Sequence, residues 1–300
     1  MKRVMILIED ERVLENMRAL REHLLAEGLK VQVICGIDSV YHASGAEGEI
    51  WISDSATGVH ALRKLEIPVV AYLHPWNRDA DFAGVLYAAE QLEELSGDYF
   101  DKVYRRYKKI PWEILKTPRC LVRETVPEDA EAFARIYSEP EITRYTDGFC
   151  REAAGSSRKE DTSGRVEGTY HVKAEKDYIR QYIERIYEFY GYGIWTVVLK
   201  DTGEVVGRVG FQNFAEQSDG NGYPELGYMI ATAYQGKGLA QEVCRAVLEY
   251  AREELFFEGV RVVIREENQV SIRLAQKLGF CHTGNFENEK GKFFRGERLL

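Results

Sequence analysis

The sequence predicts an α/β chain in two domains: an N-terminal parallel-sheet three-layer α/β domain over residues 1–112, then a mixed-sheet α+β domain over 119–300. Three observations predict it. Short apolar runs alternate with helical periodicity up to about residue 110, the pattern of strands buried on both faces by crossover helices. Ile110-Pro111-Trp112 and Thr117-Pro118 then interrupt that pattern and mark a junction. Further on, two apolar strands are joined by Lys200-Asp201-Thr202-Gly203, a hairpin signal that makes the second sheet at least partly antiparallel.

In the first domain Val4–Ile8 reads as a strand, and Val13, Leu14, Met17, Leu20 and Leu24 recur at helical spacing up to a stop at Gly28. Strands follow at Val31–Ile34, Glu49–Ile52 and Ile67–Leu73, with a short fifth at Gly84–Tyr87. Helices are expected at Ala56–Leu65, Glu90–Leu95 and Tyr99–Lys109. The second domain opens with a strand at Cys120–Arg123. Thr125-Val126-Pro127-Glu128 then reads as a capping box ahead of a helix carrying Ala130, Phe133, Ala134 and Tyr137 on one face. Residues 150–168 are rich in Ser, Gly and charge, and a mobile insertion is expected there. A helix over Glu175–Tyr190 and strands at Ile194–Leu199 and Glu204–Phe211 complete this half.

Composition narrows the function classes. Hydrophobic residues make up 45% and charged residues 30% of the 300 positions, ordinary for a globular chain, and the net charge is −9. Residues 1–116 carry 15 basic and 19 acidic groups against 25 and 30 in the remainder, so neither half offers a basic face for nucleic acid. No run approaches the ~20 apolar residues of a membrane span, so no membrane partner is expected. Five scattered cysteines without a Cys-x-x-Cys pair predict idle thiols in a reducing cytoplasm and no metal site. The six histidines are isolated, and none is assigned a catalytic part.

The chemistry concentrates in one stretch. Glu225-Leu226-Gly227-Tyr228-Met229-Ile230 reads as a strand, followed by Gln235-Gly236-Lys237-Gly238-Leu239-Ala240 and a helix with Leu239, Val243, Val247, Tyr250 and Ala251 on one face. A glycine-rich turn feeding a helix gathers backbone N–H groups at the positive end of the helix dipole, which suits a phosphate or pyrophosphate. The dinucleotide fingerprint fails because Gln241 stands where a third glycine is required, and the Walker pattern fails because Gly238 follows Lys237. Gln-x-x-Gly-x-Ala after a strand instead resembles the pyrophosphate loop of the GNAT acetyltransferase superfamily. Asn268-Gln269-Val270-Ser271 followed by Leu278-Gly279-Phe280, after a strand at Val260–Arg265, is similar to its second signature. Leu121–Thr125, Ile194–Val198 and Glu225–Tyr228 are similar to the branch containing ribosomal-protein-alanine N-acetyltransferases.

The resemblance, covering residues ~121–300, implies a GNAT-type domain that passes an acetyl group from acetyl-CoA to a primary amine, either a protein N-terminus or a small molecule. It implies that backbone N–H groups of Gln235, Gly236, Lys237, Gly238, Leu239 and Ala240 hold the CoA pyrophosphate. Met229 and Ile230 would pair with pantetheine as a strand does, and Asn268 would hydrogen-bond the same arm. Glu225 is the candidate base and Ser271 the candidate donor to the leaving thiolate. The tyrosine that many members carry on the last helix is replaced by Ala275. Plainer readings stand beside these: a strand-edge charge for Glu225, a solvated helix residue for Ser271, an N-cap for Asn268. The alternative function is an acyl-CoA-sensing module whose catalysis has decayed, and a homodimer is left open. In the first domain, Glu9-Asp10 and Asp54 end strands in a way that resembles receiver and haloacid-dehalogenase-like domains. The phosphatase Asp-x-Asp pattern is missing and no lysine ends the fifth strand, so a structural or regulatory role is expected there.

Overall fold

The computed structural model describes residues 1–36, 45–145, 172–212, 222–289 and 291–300. The expected insertion at 150–168 lies outside them, as do His42, Cys150 and His171. The chain divides into two compact units, Met1–Trp112 and Glu113–Leu300.

The first unit contains β1 (Arg3–Ile8), α1 (Leu14–Ala26), β2 (Lys30–Cys35), β3 (Glu49–Ser53), α2 (Ala56–Lys64), β4 (Val69–Tyr72), β5 (Ala88–Ala89) and α3 (Gly97–Tyr107). The strands form a parallel sheet in the order β2-β1-β3-β4-β5. Alternation along β1 explains the layers. Val4, Ile6 and Ile8 pack with Met17, Leu20, Leu24, Phe100 and Val103 of α1 and α3, while Met5 and Leu7 pack with Trp51 and with Val59 and Leu62 of α2. Two expected elements differ. The fifth strand lies at Ala88–Ala89 rather than Gly84–Tyr87: Gly84 sits in a turn at positive φ, with the Val85 N–H on the Phe82 carbonyl at 3.2 Å, and the chain first meets β4 where the Tyr87 carbonyl accepts the Ala71 N–H at 2.9 Å. Glu90–Leu95 holds a single 3₁₀ turn at Leu92–Glu94: the segment is too short for a stable helix, and Ser96 already caps α3 through the Tyr99 N–H.

The second unit contains β6 (Glu113–Lys116), β7 (Cys120–Arg123), α4 (Ala130–Tyr137), α5 (Pro140–Thr143), α6 (Val172–Tyr182), α7 (Glu188–Tyr190), β8 (Ile194–Leu199), β9 (Val205–Gln212) and β10 (Glu225–Ile230). α8 (Leu239–Glu253), β11 (Gly259–Arg265), α9 (Gln269–Lys277), β12 (Cys281–Asn288) and β13 (Gly291–Leu299) follow. Its sheet runs β12-β13-β11-β10-β9-β8-β7-β6 and is mixed. On one face α8 and α9 bury Val243, Val247 and Ile272 against Trp195, Val197, Leu226 and Ile230. On the other, α4 and α6 bury Phe133, Ile136 and Ile179 against Met229.

Three local expectations change here. Residues 113–116, read as junction, form β6 and pair antiparallel with β7. The capping box at Thr125–Glu128 does not form. Thr125 is buried, its hydroxyl meeting those of Thr196 and the Ile194 carbonyl, and Asp129 accepts the Val126 N–H at 3.0 Å instead. The helix expected over Glu175–Tyr190 is interrupted by a π turn at Ile183–Tyr187, which carries Tyr187 into the core, where its hydroxyl donates to the Ile194 carbonyl.

Candidate active site

The mixed sheet is parted at one seam. β10 and β11 run parallel but share a single partnered position, Glu225 opposite Arg261, with the Arg261 N–H on the Pro224 carbonyl at 3.0 Å. Beyond that position β10 pairs only with β9 and β11 only with β13, so the two strands diverge toward their carboxyl ends. Each strand then leads into a helix, β10 into α8 and β11 into α9. The sequence candidates therefore fall on the two sides of one wedge. Met229 and Ile230 point to opposite faces of the sheet, into separate cores, so neither side chain is free for a ligand.

The loop between β10 and α8 is built by two glycines. Gly236 at φ 70° and Gly238 at φ 79° occupy the left-handed region, which costs an L side chain about 1 kcal/mol or more. The Gln235 amide donates to the Ile230 carbonyl at 2.8 Å and ties the loop to the strand end. The first helical bond of α8 runs from Glu242 N–H to the Gly238 carbonyl at 3.1 Å, so the N–H groups of Leu239, Ala240 and Gln241 precede the helical ladder. The Leu239 side chain is buried as an anchor. The Lys237 ammonium lies 5.1 Å from the centre of the Tyr234 ring, and Tyr234 in turn donates to Glu204 at 2.6 Å.

Across the wedge, Asn268 caps α9, its Oδ1 accepting the Ser271 N–H at 3.1 Å. Ser271 is half-buried. Burial pushes the phenol of Tyr228 on β10 upward, and the hydroxyl of Ser271 opposes that shift.

Glu225 sits at the narrow end. Its carboxyl is mostly buried, and desolvation raises it to about 7, against the opposing pull of Arg261 and Arg295. The Arg261 Nε lies 3.9 Å from Glu225 Oε2 and makes no hydrogen bond, too far for a bonded pair that would hold the carboxylate fully ionised. A carboxyl half-ionised near neutrality can accept a proton from an ammonium and release it again.

Two features carried no sequence signal. Arg208 on β9 is buried opposite Met229, beneath the Phe133 ring at 4.2 Å, donating to Tyr137 at 3.3 Å and lying 3.6 Å from Glu175. Arg119, just before β7, binds both the loop and the first turn of α8, more than a hundred residues away in sequence.

In the first unit Asp54 is turned inward. Its two oxygens accept the N–H groups of Glu9 and Asp10 at 2.8 and 2.9 Å, and His74 Nε2 lies 3.7 Å away. Asn77 fastens the same corner, donating to the carbonyls of Asp54 and Tyr72. Among the described residues no cluster of three or more His, Cys, Asp or Glu could hold a metal ion, and no described helix is long and apolar enough to cross a membrane.

A mixed sheet split between two parallel strands, with a glycine-turned helix at the mouth of the split, defines an acyl-CoA-dependent acetyltransferase architecture. A family model described as an acetyltransferase (GNAT) domain matches residues 119–281. The chain belongs to that family. It is 27% identical over 183 residues to p20 of Bacillus licheniformis, an uncharacterized N-acetyltransferase, covering 60% of this chain and 90% of that protein. It is 30% identical over 116 residues to YdaF of Bacillus subtilis (strain 168), provisionally named a ribosomal N-acetyltransferase, covering 39% and 58%. Among solved structures, a ribosomal-protein-S5-alanine acetyltransferase from Vibrio fischeri matches 62% of this chain and 95% of its own at 16% identity and a TM-score of 0.47.

Proposed function

We propose that the second unit transfers an acetyl group from acetyl-CoA to a primary amine, a protein N-terminus or a small molecule, by direct attack. The observation that carries this reading is the single-position pairing of β10 with β11. The divergence leaves one side of β10 without a neighbouring strand, a slot for the amide-bearing pantetheine arm. The N–H groups from Gly236 to Ala240 suit the pyrophosphate, whereas that of Gln235, expected among them, is already donated to the Thr232 carbonyl at 3.1 Å; the positive φ at Gly236 and Gly238 lets the backbone come close without a Cβ in the way. Asn268 presents its amide N–H₂ to the same arm while its Oδ1 caps α9.

The chemistry needs two proton movements. Glu225 takes a proton from the attacking ammonium, directly or through a water, and its raised pKa suits that exchange near neutral pH. Ser271 donates to the sulfur as the thiolate leaves. The unit Met1–Trp112 we read as structural or regulatory, because both oxygens of Asp54 are already engaged by backbone N–H groups.

The test is thiol release from acetyl-CoA across a panel of peptides with free N-termini, amino acids, polyamines and aminoglycosides. Turnover with any class supports the reading and names the acceptor. Tight acetyl-CoA binding with no turnover anywhere would favour an acyl-CoA sensor instead.

A further inference from the structure

The helix that receives the pyrophosphate in this reading carries a glutamate in its first turn. Glu242 follows the glycine loop by one helical turn from Gly238, and a bare carboxylate there repels a diphosphate at short range. Its charge is not bare. Arg119 donates to it three times, from the backbone N–H at 2.9 Å and from the guanidinium Nε and Nη2 at 2.7 Å each; against the effect of burial, the Thr117 hydroxyl and these bonds together hold the Glu242 carboxyl below its ordinary range. The same guanidinium donates through Nη1 to the Lys237 carbonyl at 2.9 Å.

That last bond fixes a direction. In a trans peptide the C=O and the following N–H point opposite ways, and no described peptide is cis. A Lys237 carbonyl held on Arg119 therefore turns the Gly238 N–H away from the β6–β7 turn. Gly238, on one side of this peptide at φ 79°, leaves it little conformational resistance to flipping there, so its orientation depends on what grips it. We propose, resting on the acetyl-CoA reading above, that Arg119 is a positioning residue for the CoA pyrophosphate: it cancels Glu242 and keeps the Gly238 N–H facing the ligand. Lys116, Arg245 and Glu249 line the same cleft as Glu242, and Lys116 is itself paired with Glu113 at 2.7 Å.

The test compares two acyl donors. With Arg119→Met, the Kd for acetyl-CoA, read by calorimetry, should rise about tenfold, the loss expected for one charge-assisted hydrogen bond together with an uncancelled carboxylate. kcat at saturation should stay near wild type. S-acetylpantetheine, which lacks the pyrophosphate, should be used by the variant and the wild type with equal kcat/KM, which also shows that the variant is folded. Arg119→Met combined with Glu242→Gln should recover part of the lost affinity, because the repulsion is gone while the peptide stays ungripped. Wild-type acetyl-CoA affinity in Arg119→Met, or an equal loss with both donors, overturns the proposal. A wild-type protein that does not bind acetyl-CoA overturns instead the loop assignment on which it rests.

Discussion

Glu225→Gln separates the proposed base from every other source of pH dependence. The change keeps the shape and hydrogen-bonding reach of the side chain but removes its titration. With the carboxyl at about 7, roughly a tenth of wild-type molecules hold an ionised Glu225 at pH 6, half at pH 7 and nine-tenths at pH 8. If the acceptor arrives as an ammonium, log kcat/KM should climb with unit slope to about pH 7 and then level off until the amine itself titrates. In the variant the free-amine fraction alone governs, so the climb should continue through pH 7 to the pKa of the amine. The deficit should be about 100-fold or more around pH 7–8, the usual worth of a general base, and should shrink toward alkaline pH. The sign of the stability effect also follows. The folded-state value lies above the ordinary 4.5, so the folded protein holds this proton more tightly, and stability is full below about pH 4.5 and lost as pH rises through 7. The whole shift is worth about 3 kcal/mol, which the variant does not lose. Stopped-flow thiol release and thermal melts across pH measure both effects. A wild-type profile with no break near pH 7, or superimposable profiles for the two proteins, refutes the assignment of Glu225 as base.

Three further outcomes follow from the site and the first unit. Ser271→Ala should lower kcat by about 10–100-fold with little pH dependence, since the thiolate needs its donor however the amine was deprotonated; a rate equal to wild type removes Ser271 from the chemistry. Gly238→Asp should abolish the rise in melting temperature that acetyl-CoA gives the wild type, because it strains a φ of 79° and sets a carboxylate in the anion site; NAD and ATP should give no rise with either protein. Asp54→Ala should destabilise the first unit by about 1–3 kcal/mol, by stranding the N–H groups of Glu9 and Asp10, and leave acetyl transfer unchanged; a phosphorylated Asp54 in a mass spectrum after acetyl phosphate treatment would contradict the structural reading.

Much of this was legible before any coordinates, for local reasons. The glycine loop, the Asn268 cap and the strand bearing Glu225 announce themselves within a few residues, because turns, caps and pleats are set by neighbours in sequence. β6 was hidden because Ile114 and Leu115 stand between prolines, and four residues carry no periodicity of their own. The π turn at Ile183–Tyr187 was hidden because the buried seat of Tyr187 is made in part by Thr125, 62 residues earlier, whose N–H donates to the Tyr187 hydroxyl at 3.2 Å. Arg119 and Arg261 escaped for the same reason on a larger scale. Each is an unremarked arginine until the fold brings it to Glu242 or to Glu225.

The seam between β10 and β11 also bears on how the second unit opens. Five strands, β6 to β10, lie on one side of it and three, β11 to β13, on the other, and one backbone register position ties the ladders together. Sheets lose protection in cooperative blocks, and a ladder interrupted at this point divides into two of them. Amide exchange should therefore be faster at Arg261, whose N–H spans the seam, than in the centres of β8 or β13. Anything lying along β10 and reaching α9 would act as a splint across the fault, slowing exchange on both sides at once.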